Sequence, residues 1–230
     1  MSTAASTRPV ALVTGASRGI GRAIAVELGA THHVLVGGRD ERAVAEVVAA
    51  LPSAEGFVAD LVHGPLPALP ERLDVLVHSA GVEDGGTIAD TDAEVWQHVF
   101  EVNVFAVAAL TRAALPALRA AEGLVVAINS GSGLTSGPGG GVYAGSKFAL
   151  RALTDALREE ERPHGVRVSS IHPGRVDTDM QRALVAREGH DYDTTYTITP
   201  EMVAAAVRTA VDLPASGTVE SLSVRPMRRR

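Results

Sequence analysis

Thr14-Gly15-Ala16-Ser17-Arg18-Gly19-Ile20-Gly21 lies between a short aliphatic run, Pro9–Thr14, and a helix-like segment, Gly19–Leu28. Glycines at such a junction permit a tight turn and let the backbone approach a pyrophosphate. The free N–H groups and the dipole of the helix N-terminus then stabilise the negative charge. The spacing is G-x-x-x-G-x-G rather than the commoner G-x-G-x-x-G. Three glycines at a strand-to-helix junction favour dinucleotide binding over the weaker alternative, a turn that merely joins two elements.

Working outward, short aliphatic runs alternate with amphipathic stretches. Further strand candidates are Val34–Gly37, Gly56–Ala59, Leu73–His78, Leu124–Asn129, Val166–Ile171 and Val219–Val224. Most are near-continuous in Val, Leu, Ile and Ala, the pattern of strands buried on both faces. Helix candidates are Glu41–Leu51, Ala93–Ala121, Tyr143–Arg162 and Pro200–Val211, the last with Thr199 as cap and Pro200 at its first position. Strand alternating with helix predicts right-handed crossovers and a parallel sheet. The expected fold is therefore α/β: a doubly wound, Rossmann-like sheet of about seven strands with helices on both faces. Residues 1–230 are expected to form one domain. Pro65, Pro67 and Pro70 argue against a full helix between Asp60 and Leu73. Residues 179–199 lack clear periodicity and make a candidate substrate lid.

The 230 residues carry 27 acidic and 21 basic side chains, a formal net charge of −6. Twenty of the basic residues are arginines; Lys147 is the single lysine. Cysteine is absent, which excludes a disulfide framework, a thiol nucleophile and a thiolate metal site. No basic field points to nucleic acid, although Arg228, Arg229 and Arg230 form a small basic tail. No apolar run is expected to reach the roughly 18 residues that span a bilayer. The first ten residues lack the pattern of a signal peptide, so the expectation is a cytoplasmic protein with no membrane partner. Histidines show no metal-ligand spacing, and no metal is expected.

The motif TGASRGIG, with the features that follow it, resembles the classical short-chain dehydrogenase/reductase (SDR) family over nearly the whole chain. That resemblance implies a doubly wound sheet binding NAD or NADP, with Gly15, Ser17, Arg18, Gly19, Ile20 and Gly21 at the cofactor. Charge argues which one. An acid near the end of the second strand would bind ribose hydroxyls of NAD, whereas an arginine would accept the 2′-phosphate of NADP. Arg39 and Asp40 stand there side by side. Arg39 together with Arg18 favours NADP(H), with NAD(H) the less favoured option. The resemblance also places Asp60 and Leu61 at the adenine, and Ala80 and Gly81 beside the cofactor backbone. His78 stands where the family has Asn, which puts the local sheet hydrogen bonding in question. Pro173, Gly174, Val176 and Thr178 match the Pro-Gly segment that fits against the nicotinamide.

Tyr143 and Lys147 are four apart, on one face of a helix. With three tyrosines in the chain, the chance that the one lysine falls four after a tyrosine is roughly one in eighty. A phenol with its pKa near 10 exchanges protons slowly at neutral pH, and a nearby ammonium, plus the positive nicotinamide of an oxidised cofactor, is expected to lower that value. Lysine also offers compact donors to ribose hydroxyls, which a planar guanidinium would not reproduce. By resemblance, Ser130 holds the substrate oxygen, with Ser132 a rival two residues on. Asn103 supports a water and the lysine in a proton relay. His172 reads as structural.

The implied function is an NADP(H)-dependent oxidoreductase acting between the nicotinamide and a carbonyl or secondary alcohol, with Tyr143 as general acid/base. The alternative is a non-catalytic NAD(P)-binding sensor on the same fold, which would be expected to lose the Ser/Tyr/Lys set. An extended-branch epimerase or dehydratase would need more chain beyond residue 211. The resemblance further implies a homodimer or homotetramer through helices 93–121 and 143–162.

Overall fold

The computed structural model describes residues 8–187 and 189–228. The first seven residues, read above for a signal sequence, lie outside the described residues, as do Arg229 and Arg230 of the basic tail. Strands Val10–Val13 (β1), His33–Gly38 (β2), Ala54–Val58 (β3), Val75–His78 (β4), Leu124–Ile128 (β5), Arg167–Pro173 (β6) and Ser221–Val224 (β7) form one parallel sheet. The strand order is β3-β2-β1-β4-β5-β6-β7. All seven expected strands are present, and the order reverses between β1 and β4, where α/β sheets open a binding crevice.

The near-continuous apolar runs are explained by two cores. Ala11, Val13, Val75, Val77, Leu124 and Val126 face helices Gly19–Gly29 (α1) and, at the far end of the chain, Pro200–Val211 (α7). Leu12, Leu76 and Val125 point the other way, against Leu110, Leu118 and Leu157. Neighbouring residues on a strand alternate faces, so a sheet covered on both sides needs both residues apolar. Each fully buried Leu or Val contributes about 1.5–3 kcal/mol.

The remaining helices are Glu41–Ala49 (α2), Ala93–Phe100 (α3), Ala106–Ala121 (α4), Gly141–Glu161 (α5) and Asp179–Arg187 (α6). The expected single helix over 93–121 is interrupted: a π-helical turn, Glu101–Phe105, separates α3 from α4. The continuous helical run Ala93–Ala121 has 29 residues and is long and apolar enough to cross a bilayer by length and composition. It is not an unbroken apolar run: Glu94, Gln97, His98, Glu101, Asn103 and Arg112 interrupt it. Its apolar residues Leu110, Ala114, Ala117 and Leu118 are buried against the sheet. No helix forms between Asp60 and Leu73, as the prolines predict.

Helix α6 lies where no periodicity was read. Its start is nonetheless encoded: the Gln181 N–H donates to Thr178 Oγ1 at 3.3 Å, a Thr-x-x-Gln start signal. Thr199, in contrast, stands at the cap position of α7 without a side-chain cap bond, and Pro200 alone marks that start.

At the far end of α5, Arg119 forks onto Glu161 with bonds of 2.8 and 2.7 Å and holds its carboxyl below the usual range. This clamps α4 to α5.

His78 ends β4 without disturbing it. The strand keeps its parallel register, His78 opposite Ala127, and His78 Nε2 meets Thr111 Oγ1 of α4 at 2.8 Å. Burial pushes the imidazole from 6.5 down to about 4. Since the folded value is depressed, the neutral ring's stability contribution is present above pH 6.5 and is lost as pH falls toward 4. That difference corresponds to about 3 kcal/mol. His78→Gln, which keeps a polar partner for Thr111 but cannot ionise, should therefore flatten the loss of thermal stability between pH 6.5 and 4. A melting-temperature series showing the same acid slope in both proteins would count against this role.

Candidate active site

A cleft runs along the C-terminal ends of β1, β2 and β4. Gly15, Ser17, Arg18, Gly19, Ile20, Gly21, Arg39, Asp60, Leu61, Ala80, Gly81 and Thr178 all line it. The glycines are sterically required. Gly15 has φ +63°, and a Cβ there would lie 2.8 Å from Ala80 Cα; a Cβ on Gly21 would drive into the Gly15 carbonyl. Thr14, not singled out in the sequence, braces the wall: its Oγ1 accepts from Ser79 N and Ala80 N, each at 3.1 Å.

The two charged candidates at the end of β2 have separate tasks. Asp40 caps α2, its Oδ1 accepting from Arg42 N at 3.0 Å and Ala43 N at 3.2 Å. Arg39 lines the cleft instead. Asp60 Oδ1 accepts from Val62 N and His63 N at 2.9 and 3.2 Å. These bonds hold its carboxyl below the usual carboxylate range.

A second cleft adjoins the first, sharing Ile20, Thr178 and Met180 with it. Ser130, Ser132, Tyr143, Pro173, Gly174 and Val176 line this part. The backbone N–H of Ser132 donates to Ser130 Oγ at 3.1 Å, so the second serine aims the first. His172 Nδ1 lies 3.0 Å from the Ser130 carbonyl oxygen, and the Ser130 N–H donates to Asn129 Oδ1 at 2.9 Å. Both residues are buried, and both position Ser130. The Thr178 hydroxyl donates to Val176 O and accepts the Gln181 N–H at the start of α6, each at 3.3 Å.

Lys147 and Asn103 lie just behind the cleft. Lys147 is 5% exposed, and its Nζ donates to Ile128 O at 3.0 Å. A Cβ on Gly81 would sit 3.8 Å from Lys147 Nζ and 3.2 Å from Asn103 Oδ1, so one glycine lets both reach the wall. Asn103 lies in the π-helical turn, a feature found frequently at functional sites. Its side chain exchanges bonds of 2.9 Å with both backbone groups of Val82, and its Nδ2 donates to Ser146 Oγ at 3.0 Å. These bonds occupy the Asn103 side chain. The amide clamps the loop after β4 at Val82.

The expected lowering of Tyr143 rests on the ammonium and an oxidised cofactor together; the protein's own groups push the phenol the other way. Burial raises the phenol, the Ser130 hydroxyl opposes the rise and Glu83 adds to it, leaving it at about 12. Lys147 Nζ lies 5.7 Å from the ring centroid. Burial pushes Lys147 itself down to about 8.

The candidate lid supplies one wall of the second cleft through Gln181, Leu184, Val185, Tyr192 and Tyr196. It is tied down at both ends. Arg187 pairs with Glu83 and, at 3.0 Å, with Asp84, while Arg182 and Tyr192 both bond Asp177. Among the described residues no group of three or more metal-ligating side chains is gathered.

The family model described as short chain dehydrogenase matches residues 9–189. The chain belongs to the short-chain dehydrogenase family. An uncharacterized short-chain type dehydrogenase/reductase of Sinorhizobium fredii is 36% identical, over 94% of this chain and 91% of that protein. An alcohol dehydrogenase from the archaeon Thermococcus sibiricus, solved with 5-hydroxy-NADP, is 26% identical with a TM-score of 0.85, covering 97% of this chain and 98% of that one. An actinorhodin polyketide ketoreductase variant with NADPH is 27% identical, also with a TM-score of 0.85 and the same coverage of both chains. As a family member this short-chain dehydrogenase is an oxidoreductase that works with a nicotinamide cofactor.

Proposed function

We propose that this short-chain dehydrogenase is an NADP(H)-dependent reductase of carbonyl compounds, with Tyr143 as the proton donor. The observation that carries the reading is the gathering of Ser130 and Tyr143 in a cleft continuous with the glycine-rich one, with Lys147 immediately behind. When bound, the nicotinamide supplies the hydride. Ser130, aimed by Ser132, Asn129 and His172, holds the carbonyl oxygen. Tyr143, kept as a neutral phenol by burial, gives that oxygen its proton. Lys147 presents an ammonium for ribose hydroxyls, and Asn103 fixes the wall between them.

The preference for NADP follows from Arg39 and Arg18 lining the cleft while Asp40 is occupied as a helix cap. Two guanidinium groups fit a 2′-phosphate, whereas the adjacent carboxylate is turned away. Arg39→Asp should lower kcat/KM for NADPH by about tenfold to a hundredfold and leave NADH less affected. The check is steady-state kinetics at 340 nm with both cofactors. An unchanged NADPH-to-NADH ratio would remove Arg39 from the 2′-phosphate site.

Phe105 on the π-helical turn and Phe148 on α5 are 59% and 42% exposed. They fit assembly of two or four copies through the α3–α4 and α5 faces. Phe105→Arg with Phe148→Arg is expected to yield a monomer by light scattering. An unchanged mass would place the interface elsewhere.

A further inference from the structure

The substrate side of the cleft holds a cation that the proton-transfer machinery does not use. Arg225 follows β7, and its guanidinium lies against Gly131, the residue after Ser130. A Cβ on Gly131 would lie 3.0 Å from Arg225 Cζ and 3.1 Å from Nη2. A Cβ on Gly174 would meet Pro226 Cδ at 2.7 Å and Arg225 Cδ at 3.4 Å. Both loops framing the site thus omit a side chain where Arg225 passes. One bond, Nη1 to the Pro173 carbonyl at 3.2 Å, holds it in place.

Arg225 makes no ion pair among the described residues, in a chain whose arginines commonly do. Arg175 and Arg228 line the same cleft. The acids there are otherwise engaged: Glu83 pairs with Arg187, and Asp193 accepts from Thr195 N at 2.8 Å. The opposite wall contributes a second feature. Gln181, only 8% exposed, lines the cleft with an Nε2 that has no hydrogen-bond partner. A buried donor left unpaired is costly, and an acceptor brought by a ligand would satisfy it.

We propose that the substrate carries an oxyanion, a carboxylate or a phosphate, close to its carbonyl, and that Arg225 binds it while Gln181 donates to a further oxygen. This rests on the reading of the Ser130/Tyr143 cleft as the carbonyl site. A planar guanidinium suits two-oxygen groups, and its position beside Gly131 selects anions only a few atoms from the reacting carbon.

The test pairs 4-oxopentanoate and 5-oxohexanoate with their methyl esters, and dihydroxyacetone phosphate with dihydroxyacetone. Calorimetric binding and NADPH oxidation are measured for each on the wild type, Arg225→Gln and Arg225→Lys. At least one anion should bind tenfold or more better than its neutral partner, roughly the value of a charge-assisted bond. That ratio should collapse in Arg225→Gln and return in part in Arg225→Lys. Preference within the acid pairs assigns a carboxylate, and preference for the phosphate assigns the other source. Equal binding of every anion and its neutral partner by the wild type overturns the proposal, as does an equal loss for both partners in Arg225→Gln. If Arg225→Gln does not fold, the wild-type ratio and Arg225→Lys still decide. Selective anion binding without turnover would support this site while refuting carbonyl reduction.

Discussion

Tyr143→Phe lowers kcat/KM for carbonyl reduction by about 10²–10⁴-fold and leaves NADPH affinity within about twofold. The size follows from what the hydroxyl does. Without it the proposed donor beside Ser130 is lost: the Lys147 ammonium is directed at the Ile128 carbonyl, and Tyr192, on the lid wall, donates to Asp177. The ring of Tyr143 remains in Tyr143→Phe, so the cleft keeps its shape. The protein's own groups hold Tyr143 near 12. At neutral pH the phenol is therefore fully protonated, the form that donates in reduction. Reduction rates measured across pH 6–7.5 should be nearly flat. Activity of Tyr143→Phe within tenfold of wild type would remove the proton-donor role.

Lys147→Met and Lys147→Arg are both expected to lose roughly a hundredfold or more in kcat/KM, with weakened NADPH binding. Lys147 is 5% exposed, and its Nζ is held at the Ile128 carbonyl with Gly81 beside it. A larger, planar guanidinium does not reproduce the compact ammonium there. Burial lowers the ammonium from 10.5 to about 8. With its folded value depressed, the group's stabilising contribution is complete only above pH 10.5 and falls away as pH drops through 8. At pH 7 the folded protein thus carries the cost of a buried charge. Lys147→Met should melt no lower than wild type at pH 7 while being nearly inactive, which separates a catalytic loss from unfolding. The same ammonium loses its proton through pH 8, so wild-type reduction should decline there. A Lys147→Met protein that keeps its activity, or loses it only by melting, would contradict this role.

The seven strands were legible because a sheet covered on both sides forces Val, Leu and Ile onto consecutive positions. The glycine turn was legible because its glycines answer backbone clashes. What was not legible depended on contacts between distant segments. The π-helical turn at Asn103 is set by bonds from Asn103 to Val82 and Ser146, far away in sequence. Helix α6 has little apolar periodicity because it faces a cleft rather than a core, although Thr178 and Gln181 marked its start. The direction of the Tyr143 shift required knowing how far the fold buries the phenol. Arg225 was invisible for the same reason, since only the fold brings the end of β7 against Gly131.

The preference for arginine acquires a partial physical account. Arg158 bonds Val168 O and Glu220 O, Arg72 bonds Ala120 O and Asp74, and Arg208 bonds Glu27 and Thr31. Each joins two or more groups with one forked cation, which an ammonium would do less well.

The central claim is hydride transfer to a carbonyl in the Ser130/Tyr143 cleft. Its most direct test uses NADPH deuterated at the nicotinamide C4 and the best carbonyl from the oxo-acid and ketone series, with the alcohol product analysed by mass spectrometry. The account predicts one deuterium on the carbinol carbon with wild type and a product yield reduced at least a hundredfold with Tyr143→Phe. An alcohol formed without deuterium, or NADPH binding with no carbonyl reduced anywhere in the series, would contradict it.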